Sequence, residues 1–239
     1  MNMKKCGLFL FIFCCSLNVW PQTEVMDALK TIERINANYR EADDFILDLT
    51  YKMNNTDNGT EIDKIPGIYK KKGDKIFYKL GILETAYEEK MNIVLDPFEN
   101  TVILTKGVLV QPLNLGDMSK NLMDIVMSKA TVKEINSSKT EIIVEMKEGD
   151  ISKAIIIYNP QTMLLIQVET FYRRKYQAGG SAIPVKITIT YNNFKINAGL
   201  KREDFLLAKC LILSNGTYKL KPAYNSFKLL NTVPKIGSL

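Results

Sequence analysis

Residues 91–106, MNIVLDPFENTVILTK, decide the reading of this chain. Met91, Ile93 and Leu95 alternate with polar or smaller neighbours and share one strand face, as Val102 and Leu104 do on the far side of Asp96-Pro97-Phe98-Glu99-Asn100. The Asp96 carboxylate suits the first turn position because it accepts hydrogen bonds from the backbone ahead, and Pro97 pre-sets φ at the next. Asn100 tolerates the left-handed region before the chain turns back. The stretch predicts a β-hairpin.

Upstream, 24–42 predicts a helix. Val25, Leu29, Ile32, Ile35 and Tyr39 recur at helical spacing, Lys30, Glu33, Arg34 and Arg40 lie off that stripe, and Thr23 is the expected N-cap. From Phe45 the period switches from 3.6 to 2, so the helix lies beside its own strand. Residues 54–63 (NNTDNGTEID) are rich in side-chain oxygens but lack the acidic spacing and closing Glu of a calcium loop, so turn chemistry is expected there. Strands are expected at 65–72, 75–80 and 82–88, with a tight turn at Lys72-Gly73-Asp74. Lys70-Lys71-Lys72 is a solvated run at that hairpin tip.

Downstream, 117–129 predicts a second helix with Met118, Leu122, Ile125 and Val126 as its apolar stripe. Met123 and Met127 add adaptable side chains. Strands follow at 131–135 and 141–147, then a hairpin over 151–172 whose Pro160 takes the same turn slot as Pro97. Gly179-Gly180 has strand on both sides, which fits a hairpin loop and not a phosphate cradle. Val185, Ile187, Ile189 and Tyr191 alternate with Lys186, Thr188 and Thr190, as in a half-exposed antiparallel strand.

Successive hairpins without crossover helices give the expected class: α+β, predominantly antiparallel β. The architecture is one strongly curved sheet, a half-barrel, with helices covering its concave face. Residues 23–239 are read as a single domain. Helices over a curled sheet leave an apolar hollow, a natural site for lipid or acyl chains. Its candidate lining is Leu29, Ile32 and Ile35 from the first helix, Ile93, Leu95, Val102 and Leu104 from the hairpin, and Leu122, Ile125 and Val126 from the second helix. Singly, each of these is better explained by a dry core.

Of 239 residues, 46% are hydrophobic and 24% charged, an ordinary globular mixture. The net charge of +6 includes Lys4 and Lys5; without them 30 basic residues face 26 acidic ones, a net of +4 that does not imply nucleic acid. Residues 1–22 are read as a signal peptide: a basic start, then the apolar CGLFLFIFCC (6–15), too short to span a bilayer. The chain is expected to be exported, with no stable membrane span after signal removal. Cleavage has two candidate sites, after Ser16 or Asn18; a lipid anchor on Cys14 or Cys15 is the alternative, against which Phe13, in place of the usual small residue before Cys14, argues. Of four cysteines only Cys210 lies past this leader, inside the apolar LLAKCLIL (206–213), where a small core residue is expected. Histidine is absent, which removes His-based triads, His-ligated zinc and His pH switches. Glu84, Glu88, Glu89 and Asp96 supply carboxylates, but no spacing singles out an acid/base pair. No cofactor or metal is expected.

This order of elements resembles the outer-membrane lipoprotein carrier (Lol-type) family. DALKTIERINANYREADDF (27–45) is similar to that family's opening helix running into a long strand, and Leu95-Asp96-Pro97-Phe98-Glu99-Asn100-Thr101-Val102 is similar to its Tyr-Asp-Pro hairpin. The resemblance implies a periplasmic half-barrel with a helical lid over an apolar cavity, and a non-catalytic carrier for lipid or lipoprotein acyl chains. It also makes Lys72 a candidate gating tip, where the family often has Arg-Pro; a lysine lacks the planar fork of donors of arginine. Leu95 stands where the family has tyrosine, and nothing after Leu213 matches. Related families on this fold bind proteins, so an envelope adaptor or sensor with a protein partner is the alternative, docking through edge strands or Arg173-Arg174-Lys175.

Overall fold

A computed structural model of the chain describes residues 20–107, 127–178 and 181–233. Helix α1 (Trp20–Glu41) is followed by β1 (Asp44–Asn55), β2 (Glu61–Lys72), β3 (Lys75–Leu80), β4 (Leu83–Glu88), β5 (Met91–Asp96) and β6 (Thr101–Lys106). Then come β7 (Met127–Asn136), β8 (Lys139–Met146), β9 (Ile151–Asn159), β10 (Leu164–Tyr172), the small pair β11 (Tyr176–Ala178) and β12 (Ser181–Ile183), and β13 (Val185–Ile196). The C-terminal part holds a short helix α2 (Leu206–Cys210), the hairpin β14 (Leu211–Ser214) and β15 (Thr217–Leu220), and β16 (Lys228–Asn231).

Twelve strands form one sheet in the order β16-β6-β5-β4-β3-β2-β1-β13-β10-β9-β8-β7. It is a large curved sheet, open as a half-barrel. All its described pairings are antiparallel except that of β16 with β6. The 91–106 hairpin forms as expected. Phe98 and Glu99 N–H donate to Asp96 Oδ1 at 2.9 and 3.2 Å, and Asn100 sits at φ +49°. The 151–172 hairpin repeats the device: Gln161 and Thr162 N–H donate to Asn159 Oδ1, with Met163 at φ +55°.

Two corrections concern helices. α1 begins at Trp20, four residues before the expected start, so Thr23 lies inside it. The expected second helix at 117–129 falls outside the described residues except at its end, where Met127, Ser128 and Lys129 are strand. Lys129 pairs with Glu145 and Ala130 with Val144, so β8 claims this end as an edge partner. The polar loop at 54–63 contracts to a turn at 56–60, with Asn55 and Asn58 side chains accepting from Asp57 and Thr60 N–H.

Register fixes which side chains share a face. Phe45, Leu47 and Leu49 of β1, Tyr69 of β2, Ile76 and Tyr78 of β3, and Val94 of β5 lie on one face. α1 covers this concave face at its far end. Ala28, Ile32 and Ile35 pack against Ala130, Ile142, Val144 and Ile156. Tyr39 then leads to an aromatic cluster with Phe45, Phe194 and Tyr69. Its hydroxyl accepts from Leu165 N–H at 3.0 Å, and burial pushes its pKa up to about 12.

The opposite face of β3–β6 carries Phe77, Ala86, Met91, Ile93, Leu95, Val102 and Leu104, and the C-terminal segment covers it. Phe205, Leu206, Leu207, Cys210 and Leu211 bury themselves there, and β16 then joins the edge beside β6. Cys210 is the small core residue expected; burial raises its thiol pKa to about 11.

Candidate functional site: an apolar trough on the concave face

Three short strands build the site. Across β3, β4 and β5 the register aligns Ile76, Tyr87 and Asn92 in one row and Tyr78, Thr85 and Val94 in the next. All six point to the concave face, beyond the end of α1, and they line a half-open cavity of about 390 Å³. That volume falls within the range of about 300–1,000 Å³ usual for small-ligand sites. Its walls are aliphatic and aromatic, and its polar groups are hydroxyls and one amide. The aromatic cluster of Phe45, Tyr69 and Tyr39 continues the same surface towards the helix. A larger groove of about 630 Å³ lies on the other face, between Asp48, Thr50, Lys79, Asn192 and Asn193. Its lining mixes Leu49, Pro66 and Ile68 with these polar side chains, and Asn193 already donates to Asp48 at 2.7 Å, so it suits an acyl chain less well than the trough.

The structure separates the sequence-derived candidates instead of gathering them. Leu29, Ile32 and Ile35 are buried, the last two packed against β7–β10. Ile93, Leu95, Val102 and Leu104 are buried on the opposite face under the C-terminal segment. These two groups therefore lie on opposite sides of the sheet, and side chains fill the space around the hairpin four. Leu122, Ile125 and Val126 lie outside the described residues. The trough uses instead the alternate residues of β3–β5, such as Val94 between Ile93 and Leu95. The signal available in sequence was the one tyrosine in each of β3 and β4, Tyr78 and Tyr87, alternating with Phe77 and Ala86 of the buried set.

Lys72 is engaged where gating was expected: its ammonium donates to Leu200 O of the C-terminal segment. Lys70 pairs with Asp204 at 3.2 Å. Lys71 points the other way and donates to Arg40 O at 3.0 Å and to Ala42 O, closing the C-terminal end of α1. The three lysines are thus staples, alternating between the faces.

The carboxylates have structural partners too. Glu84 is held between Lys79 at 3.2 Å and Lys209 at 2.6 Å. Glu88 Oε1 accepts from Leu207 N–H at 2.7 Å, while its buried Oε2 has no partner. Burial raises the Glu88 pKa, against the lowering effects of that hydrogen bond and of Lys75 and Arg202. Arg173 donates to Gly149 O and Ile151 O, and Arg174 pairs with Asp150 at 2.8 Å, so the basic segment holds the turn before β9. Among the described residues no group of three or more potential metal ligands gathers. No described helix is long and apolar enough to cross a membrane.

The fold and site define a class: a curled antiparallel half-barrel with a helix on its concave face and an apolar trough beside that helix. No family model matches the chain, and no curated protein matches it in sequence. Among solved structures it is similar to a LolA superfamily protein from Nitrosomonas europaea, at 12% identity over 76% of this chain and 98% of that one, with a TM-score of 0.34. It is also similar to LprF from Mycobacterium bovis, at 8% identity over 74% and 95%, TM-score 0.39. A third is the Pseudomonas aeruginosa MucA/MucB complex, at 9% identity over 80% and 64%, TM-score 0.42. At these scores the likenesses carry no functional argument.

Proposed function

We propose that this chain is an exported, periplasmic, non-catalytic carrier that holds lipid or lipoprotein acyl chains in the concave trough. The observation that carries the reading is the trough itself: an apolar cavity of about 390 Å³, walled by Ile76, Val94, Tyr78 and Tyr87 and open on one side. The resemblance of the opening helix and Asp-Pro hairpin to the lipoprotein-carrier family supports it. Burying a methylene is worth about 0.8 kcal/mol, so a ten-carbon stretch gains roughly 8 kcal/mol before the cost of association. Such a balance permits reversible loading.

The experiment is to express the full chain with its own leader, purify it without strong detergent, and quantify extracted lipid by mass spectrometry. Stoichiometric lipid in the wild type, lost in Val94→Asp at unchanged far-UV circular dichroism, supports the carrier. A lipid-free protein that also takes up no lipid in vitro defeats it. A protein-binding adaptor is the second reading. It is favoured by exposed Ile82, Leu83 and Phe98 on adjacent turns at one end of the sheet, Phe98 being 79% exposed. Capture of a single envelope protein at fixed stoichiometry, lost in Phe98→Asp, would select it.

A further inference from the structure

We propose that the trough selects uncharged lipids bearing esters or hydroxyls over free fatty acids and anionic headgroups; this rests on the lipid-binding reading above. The observation behind it is a sorting of polar groups between the two faces of one sheet. The doublets Tyr51-Lys52, Tyr69-Lys70, Tyr78-Lys79 and Tyr87-Glu88 fall on four successive strands. Strand alternation sends each tyrosine to the concave face and each charged neighbour to the other.

The charged set is used on its own side. Lys70 reaches Asp204, Lys79 reaches Glu84, and Glu88 accepts from Leu207. Among the described residues of β1 to β6, the one cation on the concave face is Lys71, and its ammonium is committed to the carbonyls that end α1. Burial also lowers its pKa.

The trough therefore offers Tyr78, Tyr87 and Thr85 hydroxyls, but no positive charge among its described lining. Burial raises the Tyr78 pKa, which keeps its phenol protonated and able to donate near neutral pH. An ester carbonyl or a glyceryl hydroxyl finds matching donors and acceptors there. A carboxylate or phosphate that follows its chain inward gives up water without meeting a cation, which disfavours it strongly. Tyr78 and Tyr87 stand on neighbouring strands, one register step apart, close enough to address one ester group together.

The test compares two ligands with the same eighteen-carbon chain, 1-monooleoylglycerol and oleate. Each is titrated into the delipidated full-length protein at pH 8, below its aggregation concentration, by calorimetry. Monooleoylglycerol is expected to bind at least tenfold more tightly. Tyr78→Phe/Tyr87→Phe, which keeps ring volume, should weaken monooleoylglycerol about fivefold or more and leave oleate within twofold. Oleate binding as tight as monooleoylglycerol overturns the ligand class and leaves the trough a lipid site. Equal loss of both ligands in the double variant also overturns it, because the hydroxyls would then be acting on packing alone. Binding of neither ligand to the wild type overturns the lipid reading and this inference with it.

Discussion

Ile93 and Val94 are neighbours in β5 whose side chains meet different surroundings, and truncating each to alanine tests the assignment of faces directly. Ile93 has no exposed surface and stands in a row with Phe77, Ala86 and Leu104 beneath the C-terminal segment. Removing its outer carbons costs their transfer from water plus the cavity left behind, about 2–5 kcal/mol in a core that cannot collapse. Val94 is half-buried at the wall of the open trough, where solvent or ligand can take the vacated space. Its truncation should cost under about 1 kcal/mol, mostly lost strand preference, which spans about that much. Both substitutions remove a β-branched residue from the same strand, so the difference between them isolates packing. Urea unfolding followed by far-UV circular dichroism measures both through the shift in midpoint at constant slope. Similar losses for the two variants, or a larger one for Val94→Ala, would refute the assignment. Loss of lipid uptake in Ile93→Ala at a temperature where its circular dichroism shows it folded, with uptake intact in Val94→Ala, would put the cavity on the other side of the sheet.

Two further outcomes follow from single residues. The folded pKa of Glu88 is raised from 4.5, so the folded state holds this proton while the unfolded chain releases it. Its contribution is therefore fully present below about pH 4.5 and falls as pH rises towards the folded value, by about 1.4 kcal/mol for each pH unit in that window. Glu88→Gln should remove this segment of the stability-versus-pH curve, and an unchanged curve would show that the carboxyl does not stay protonated on folding. Gly67→Ala should destabilise by about 1–3 kcal/mol in chemical denaturation. A Cβ there would stand 2.5 Å from Leu49 Cδ1 and 2.7 Å from Lys79 O, and the second is backbone that cannot swing aside.

Much of the local structure was legible because its causes are local. Asp96, Pro97 and Asn100 make their turn from their own side chains and dihedrals, and α1 announces its buried stripe at helical spacing. Period-2 alternation likewise separates Met91, Ile93 and Leu95 from Asn92, Val94 and Asp96. What alternation cannot state is which set faces the cavity. In β3–β5 both faces find apolar partners: one meets the C-terminal segment, more than a hundred residues later in the chain, and the other meets open space beside α1. The hairpin four looked like lining because they alternate as an apolar set; Val94 and Ile103 on the other face are just as hydrophobic, and it is the C-terminal segment, packed on the first set, that separates the two.

The sequence alone determined the hairpins, the helix at the start, the antiparallel class and the absence of histidine chemistry. Those follow from dihedral preferences and periodicities that act over a few residues. Tertiary structure decided the partner of each face, the parallel pairing of β16 with β6, and the use of Lys70, Lys71 and Lys72 as staples to one carboxylate and three carbonyl groups. The physical reason is that burial is settled between segments distant in sequence, by which apolar surface packs on a face, and no local pattern encodes that choice.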